Sequence, residues 1–185
     1  MTSTPGGRPD LVFIGLGSNI GDKRKNLDRA LDALSRSGVE PVLSSLLYRT
    51  EPLELADQEE FLNQVALCRS ALPLDRLLGV CLETERVLGR VRTRDKGPRL
   101  IDLDLLLRGE EVRKTPGIEV PHPRLHLRRF VLIPLVEIAP DAWHPVLKMT
   151  AAELLERCPD RSRVEALSDG PGGSPGRGAG GVRPR

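Results

Sequence analysis

Short apolar runs and helical stripes alternate along most of the chain. Leu11-Val12-Phe13-Ile14 is an apolar run ending at Gly15 and Gly17, and it predicts a first strand. Asp22 is a candidate helix cap, followed by Leu27, Ala30, Leu31 and Leu34 at helical spacing, with Gly38 as the stop. Val42 to Tyr48 and Phe61 to Cys68 predict two more strands. Pro73 opens a helix whose stripe is Leu74, Leu77, Leu78, Cys81, Leu82 and Leu88, closed by Gly89. Leu100 to Leu107 predicts a strand, and Arg128 to Ile138 and Ala151 to Arg157 predict helices. The order β-α-β-β-α-β over Leu11 to Leu107 is that of a ferredoxin-like α+β sandwich, here with an added C-terminal helical segment.

The ends do not fit this pattern. Residues 1–9 are polar with Gly and Pro, and Asp169 to Arg185 holds seven Gly and three Pro in 17 residues. So little apolar surface cannot offset the entropy of ordering the backbone. The folded domain is therefore expected over residues 10–168, between a flexible N-terminus (1–9) and a disordered Gly/Pro/Arg-rich tail (169–185). About 160 folded residues bury roughly 70% of the unfolded chain's surface, enough for one core. A net charge of +2 is too small to argue for a nucleic-acid or membrane partner. No stretch reaches the ~18 apolar residues of a membrane span, and the first nine residues lack a signal-peptide core. The three cysteines, Cys68, Cys81 and Cys158, are widely spaced and odd in number, which suggests neither disulfides nor zinc. A cytoplasmic monomer is expected.

The sharpest chemistry lies in Ile101-Asp102-Leu103-Asp104-Leu105. Strand alternation puts Asp102 and Asp104 on one face about 6.6 Å apart, while Ile101, Leu103 and Leu105 face the core. Two like charges on one face of a greasy strand call for something positive. Carboxylates so spaced can share a pair of magnesium ions roughly 3.5–4 Å apart; the alternative is one solvated face. From Arg86 to Arg99 the chain carries five Arg and one Lys against one Asp, leading straight into the acidic strand. Gly89, Gly97 and Pro98 mark this stretch as a loop. Guanidinium forks grip phosphate oxygens, so the pairing suits a polyphosphate, although a solvated charge run has the same composition. There is no P-loop, and Gly15, Gly17 and Gly21 are spaced one residue too long for a dinucleotide fingerprint. Phe61 shares a strand face with Asn63, a pair that can stack on a flat heterocycle and hydrogen-bond its edge. Phe61 alone reads more often as core. His122 lies in the rigid Val120-Pro121-His122-Pro123 loop, and Phe130 follows Arg128 and Arg129.

Together these segments resemble the 6-hydroxymethyl-7,8-dihydropterin pyrophosphokinase family. The resemblance runs from Leu11 to about Leu155. It is carried by Ile14-Gly15-Leu16-Gly17-Ser18-Asn19, Tyr48-Arg49-Thr50, Phe61-Leu62-Asn63, Gly89-Arg90-Val91-Arg92, Gly97-Pro98-Arg99 into Ile101-Asp102-Leu103-Asp104, and Arg128-Arg129-Phe130. It implies an ATP-dependent enzyme of folate synthesis that transfers diphosphate to the pterin alcohol. Asp102 and Asp104 are then ligands of two magnesium ions. Asn63, with backbone groups of Thr50 and Leu53, reads the pterin edge, and Phe61 and Phe130 enclose the ring. Arg90, Arg92 and Arg99 engage ATP phosphates and, with the two aspartates, Arg90 and Arg99 form the catalytic set. His122 and Arg128 are further phosphate contacts, and Glu85 and Ile101 line the nucleotide site. One departure is Lys96, where the family commonly has Trp before Gly-Pro-Arg; the loop from Arg92 to Gly97 also looks one residue short of some relatives. Two rival readings are a nucleotidyltransferase, in which Gly17-Ser18 stands too far from Asp102, and an RNA-binding ferredoxin-like module, for which exposed aromatics are too few.

The tail carries a first prediction. A chain ending at Ser168 keeps the activity and melting temperature of the full sequence; a fall of several degrees in a thermal melt would show that the tail docks.

Overall fold

The computed structural model describes residues 10–51, 59–89 and 99–167. The first apolar run forms a strand, but it does not stop at its glycines: β1 is Asp10–Ser18 and runs through both. Asp22 caps α1, Lys23–Arg36, its carboxylate accepting the Lys25 N–H at 3.1 Å. Leu27, Ala30 and Leu34 are buried at helical spacing, and Gly38 takes the positive φ of 80° that ends the helix.

Val42 to Tyr48 departs from expectation. It is not one strand but parts of two, β2 (Glu40–Ser44) and β3 (Tyr48–Thr50), both antiparallel to β4 (Phe61–Ser70). At the break, the Ser45 N–H donates to the Val65 carbonyl at 2.9 Å, while Ser45 Oγ accepts the Val65 N–H at 3.1 Å. A side-chain hydroxyl thus stands in for a main-chain carbonyl, which an apolar run cannot reveal. The helix after Pro73 is α2, Leu74–Val87, and its buried row is Leu74, Leu77, Cys81, Thr84 and Glu85. Leu82, expected on that row, is 41% exposed, because the stripe drifts past it toward Glu85.

β5 is Asp102–Arg108, antiparallel to β1. Alternation holds through Leu105 and then breaks. The register shifts between Phe13 and Ile14, so that Leu103 and Leu105 face α1 and α2 while Leu106 and Leu107 both join the opposite core. The sheet is antiparallel throughout and, with β10 (Val164–Ala166), is ordered β10-β3-β4-β1-β5, with β2 also on β4. α1 and α2 cover one face. The other is covered by α3 (Arg129–Ile138) and α4 (Ala151–Arg157), the latter starting on a Thr150–Glu153 capping box. The result is an α+β fold with four helices among the described residues. The short hairpins β6 (Arg113–Thr115) with β7 (Ile118–Val120), and β8 (Trp143–His144) with β9 (Met149–Thr150), were not expected, and neither was β10. Strands of two or three residues leave no period to read.

α3 is tied to the sheet edge at its C-terminal end. Glu137 accepts the Leu46 N–H on both carboxylate oxygens, at 3.0 and 3.1 Å, and the Tyr48 hydroxyl at 2.8 Å. Burial, helped by the neighbouring Glu137 carboxylate, pushes the Tyr48 phenol up to about 12. This bond, with α3 packed over Val65 and Leu106, fixes the helix above the sheet face that carries the chemistry.

Candidate active site

Asp102 and Asp104 project from β5 on the α3 face, and each carboxylate meets a guanidinium. Arg99 Nη1 donates to Asp102 Oδ2 at 2.5 Å, and Arg128 Nη1 to Asp104 Oδ2 at 3.3 Å. The aspartate side chains are 23% and 37% exposed, so the ion pairs are open to solvent and worth little to stability, on the order of 0–1 kcal/mol each. The positive partner that the sequence demanded is therefore supplied in part by the protein. One guanidinium comes from the end of the cationic loop and the other from the start of α3.

His122 belongs to the same cluster. Its Nε2 lies 3.9 Å from Asp104 Oδ2, and its Nδ1 accepts the Arg124 N–H at 3.1 Å. The second contact puts the ring proton on Nε2, facing the acidic pair. Burial pushes the imidazole below its usual value, Asp104 pulls it up, and Arg128 and Arg124 push it down; the net direction is down. A neutral ring with its proton aimed outward is a donor and has no nitrogen left to act as a base.

The floor beside the aspartates is glycine. Gly15 pairs with Asp104, and Gly17 pairs with Asp102 on one side and Asn63 on the other. A Cβ on Gly17 would stand 2.9 Å from Asn63 Oδ1 and 3.9 Å from Phe61, whereas one on Gly15 would meet only ordinary contact with Leu106 at 3.5 Å. Gly17 is thus the position where a side chain is excluded. Asn63, buried, donates from Nδ2 to Thr50 Oγ1 at 2.7 Å across the β3–β4 pair. The Asn63 amide oxygen, the Thr50 hydroxyl and the Phe61 ring thereby come together on the sheet. Opposite, at the first turn of α3, Arg128 stacks on Phe130 with its guanidinium carbon 5.6 Å from the ring centre.

Two expected residues also serve the fold. Glu85 is buried, and its Oε1 accepts the Leu103 N–H at 2.8 Å, so it holds the outer edge of β5 between the two aspartates. The Ile101 side chain is fully buried in the core against α1 and α2, leaving only its backbone for a ligand. Leu53, Arg90, Arg92 and Lys96 lie outside the described residues. One residue was missed. Asn19 donates its N–H to the Arg99 carbonyl at 3.1 Å and accepts the Arg99 N–H on Oδ1 at 2.6 Å. This reciprocal clamp fixes the end of the cationic loop. The Gly-Ser-Asn segment was conspicuous in the sequence, but only the β1–β5 pairing shows what the asparagine faces.

Among the described residues no group of three or more His, Cys, Asp and Glu gathers as a metal cage. Two carboxylates are what magnesium needs when substrate phosphates and water complete its shell, so the donor set fits that ion.

The family model for 7,8-dihydro-6-hydroxymethylpterin-pyrophosphokinase (HPPK) matches residues 13–140. The chain belongs to this family. The 2-amino-4-hydroxy-6-hydroxymethyldihydropteridine pyrophosphokinase of Pseudomonas aeruginosa is 43% identical over 150 residues, 80% of this chain and 91% of that protein. The Bacillus subtilis protein of the same name is 40% identical over 130 residues, covering 70% and 78%. The folic acid synthesis protein fol1 of Pneumocystis carinii is 37% identical over 151 residues, 82% of this chain and 20% of that one. A Plasmodium falciparum HPPK-DHPS crystal structure superposes with a TM-score of 0.61 at 14% identity, over 80% of this chain and 43% of that chain. At that identity the likeness bears on fold alone. The chain spans about a fifth of fol1 and under half of the HPPK-DHPS chain. Family membership decides against the nucleotidyltransferase and RNA-binding readings, and it places the acidic strand, Asn63 and Arg128 within the matched HPPK segment.

Gly17 gives the prediction here. Gly17→Ala folds but displaces the Asn63 amide and breaks its bond to Thr50, at about 1–3 kcal/mol for the overpacked contact. The Asn63 side-chain NH₂ resonances and a urea melt read both effects; unshifted resonances would show that the contact is not tight.

Proposed function

We propose that this site transfers diphosphate from ATP to the hydroxymethyl group of 6-hydroxymethyl-7,8-dihydropterin, releasing AMP and serving folate synthesis. The observation that carries the reading is the sharing of one sheet face: Asp102 and Asp104 lie beside the Asn63–Thr50 pair, with only Gly17 between Asp102 and Asn63. A phosphate site and a heterocycle-edge site thus adjoin within one strand's width.

The pterin edge is read by the Asn63 amide, held by Thr50, and the ring lies between Phe61 on the sheet and Phe130 on α3. Asn63 can offer both donor and acceptor, which a pterin edge requires. Asp102 and Asp104 hold two magnesium ions, and magnesium bound there neutralises charge on the transferring phosphates. Arg99 and Arg128 are placed to swing from the carboxylates to phosphate oxygens a few ångströms away, and Arg90 and Arg92 join them. His122 adds a neutral donor. The hydroxymethyl oxygen bonds to the β-phosphorus in line as that phosphorus parts from the α–β bridging oxygen. AMP leaves, and the hydroxyl proton passes to water. Positioning and charge neutralisation carry the rate, as in other phosphoryl transfers.

On the same reading, β1-α1-β2/β3-β4-α2-β5 is a ferredoxin-like sandwich to which α3 and α4 add the second wall. The enzyme works as a monomer on this reading, and three buried free cysteines favour a reducing cytoplasm.

The test is nucleotide analysis after incubation with ATP, magnesium and the pterin alcohol. AMP is expected in step with diphosphorylated pterin; ADP or free diphosphate as the product overturns the reading. In the same assay Asn63→Ala weakens pterin binding by about 1–3 kcal/mol, the cost of an unsatisfied edge, and leaves ATP binding unchanged. Equal losses for both ligands would move Asn63 out of the pterin pocket.

A further inference from the structure

The first turn of α3 carries Phe130 and follows directly on Arg128, yet it is weakly held by its own helix. Arg128, at the N-cap, makes no side-chain cap hydrogen bond. Pro134 sits inside the helix and removes the N–H that would otherwise bond the Phe130 carbonyl. The missing hold comes from the far end of the domain: Asp160 Oδ2 accepts the Arg129 N–H at 2.9 Å. Asp160 is itself fixed, because its Oδ1 accepts the Ser162 N–H at 2.8 Å. Burial pushes its carboxyl up, but hydrogen bonds from Ser162 and Arg129 outweigh this and leave it below the usual carboxylate value, so the charged acceptor persists.

The chain does not end its work there. Val164, Glu165 and Ala166 pair with Thr50, Arg49 and Tyr48, and the Leu167 N–H donates to the Leu47 carbonyl at 2.8 Å. Residues 160–167 therefore grip α3 beside Phe130 at one end and β3 beside Thr50 at the other.

We propose that residues 160–167 are a strap setting the distance between the two walls of the heterocycle site, with Asp160 as a positioning residue for Phe130. This rests on the pterin reading of that site. Without the cap, the first turn of α3 frays, and the heterocycle must pay for re-forming it. Apparent affinity then falls by the fraction of chains with the turn formed. ATP, held chiefly by the β5 carboxylates and the cationic loop, is affected less.

The experiment measures equilibrium binding of the pterin substrate and of ATP, with kcat and KM, in wild type, Asp160→Ala, Asp160→Asn and a control outside the strap, Asp28→Asn at an exposed position of α1. Expected for Asp160→Ala is a rise of about tenfold in the pterin Kd and KM, the scale of a lost helix cap. Its ATP Kd should move less than twofold and its kcat little. Asp160→Asn keeps one acceptor and should recover part of the loss, and Asp28→Asn should match wild type. Amide exchange at Arg129 and Phe130 should quicken in Asp160→Ala while the core of β1 and β4 stays protected. Unchanged pterin affinity in a folded Asp160→Ala overturns the strap, as does an equal loss for both ligands. If wild type itself does not bind the pterin, the reading of the site fails instead, and quickened exchange at Arg129 alone would show a cap without a ligand role.

Discussion

Two carboxylates on one face of one strand are the constraint around which this fold is arranged. Each needs a cation, and strand geometry forbids their moving apart. The protein meets the demand from opposite sides, with Arg99 on Asp102 and Arg128 on Asp104. Neither arginine lies on the sheet. Arg99 is clamped by Asn19 at the end of β1, and Arg128 is delivered by the start of α3. The loop, the helix and the strand that meet at the acidic pair are thus linked by the same electrostatic requirement. Because the pairs are partly exposed, they contribute modestly to stability.

The acidic pair alone would suit many phosphate enzymes. On the proposed reading, selectivity comes from its neighbour on β4, and the spacer is a single glycine. Gly17 removes the side chain that would separate Asp102 from Asn63, so a heterocycle and a polyphosphate can lie edge to edge. α3 supplies the opposite wall, and it is tethered at both ends by residues distant in sequence: Glu137 to Leu46 and Tyr48, and Asp160 to Arg129. Packing against the core holds the middle of the helix.

Long periodic segments were legible in the sequence. The α1 stripe, its Asp22 cap and the α4 span emerged as expected, because burial of one face dictates their spacing. The acidic strand was legible for the same reason up to Leu105, where a bulge ends the alternation. Legibility failed where short-range pattern gives way to a single long-range bond. Ser45 breaks a strand by substituting its hydroxyl for a carbonyl, and β10 is three residues whose only signal is the partner it finds. In the site, residue types that carry charge or a planar amide were visible, namely Asp102, Asp104, Asn63, His122 and Arg128. Glu85 was visible through its break in the apolar stripe, and what the stripe could not show is that its Oε1 accepts the Leu103 N–H. Asn19 and Asp160 escaped notice because both act on backbone groups remote in the chain.

The neutralising arginines also decide what removing either charge does to the fold. Unpaired aspartates would repel, and removing one charge would relieve the fold; paired as they are, Asp102→Asn and Asp104→Asn should change stability little in either direction. The direct measurement of the central claim is therefore the magnesium dependence of thermal melting with ATP present, for wild type and these two variants. Wild type should rise in melting temperature as magnesium is added, because the ions and nucleotide bind the folded chain alone. Both variants, folded and matched to wild type without ATP, should show no such rise and should form AMP more slowly by orders of magnitude. A variant that keeps the full magnesium-dependent rise and near-normal AMP formation would contradict the assignment of Asp102 and Asp104 as the metal-holding pair.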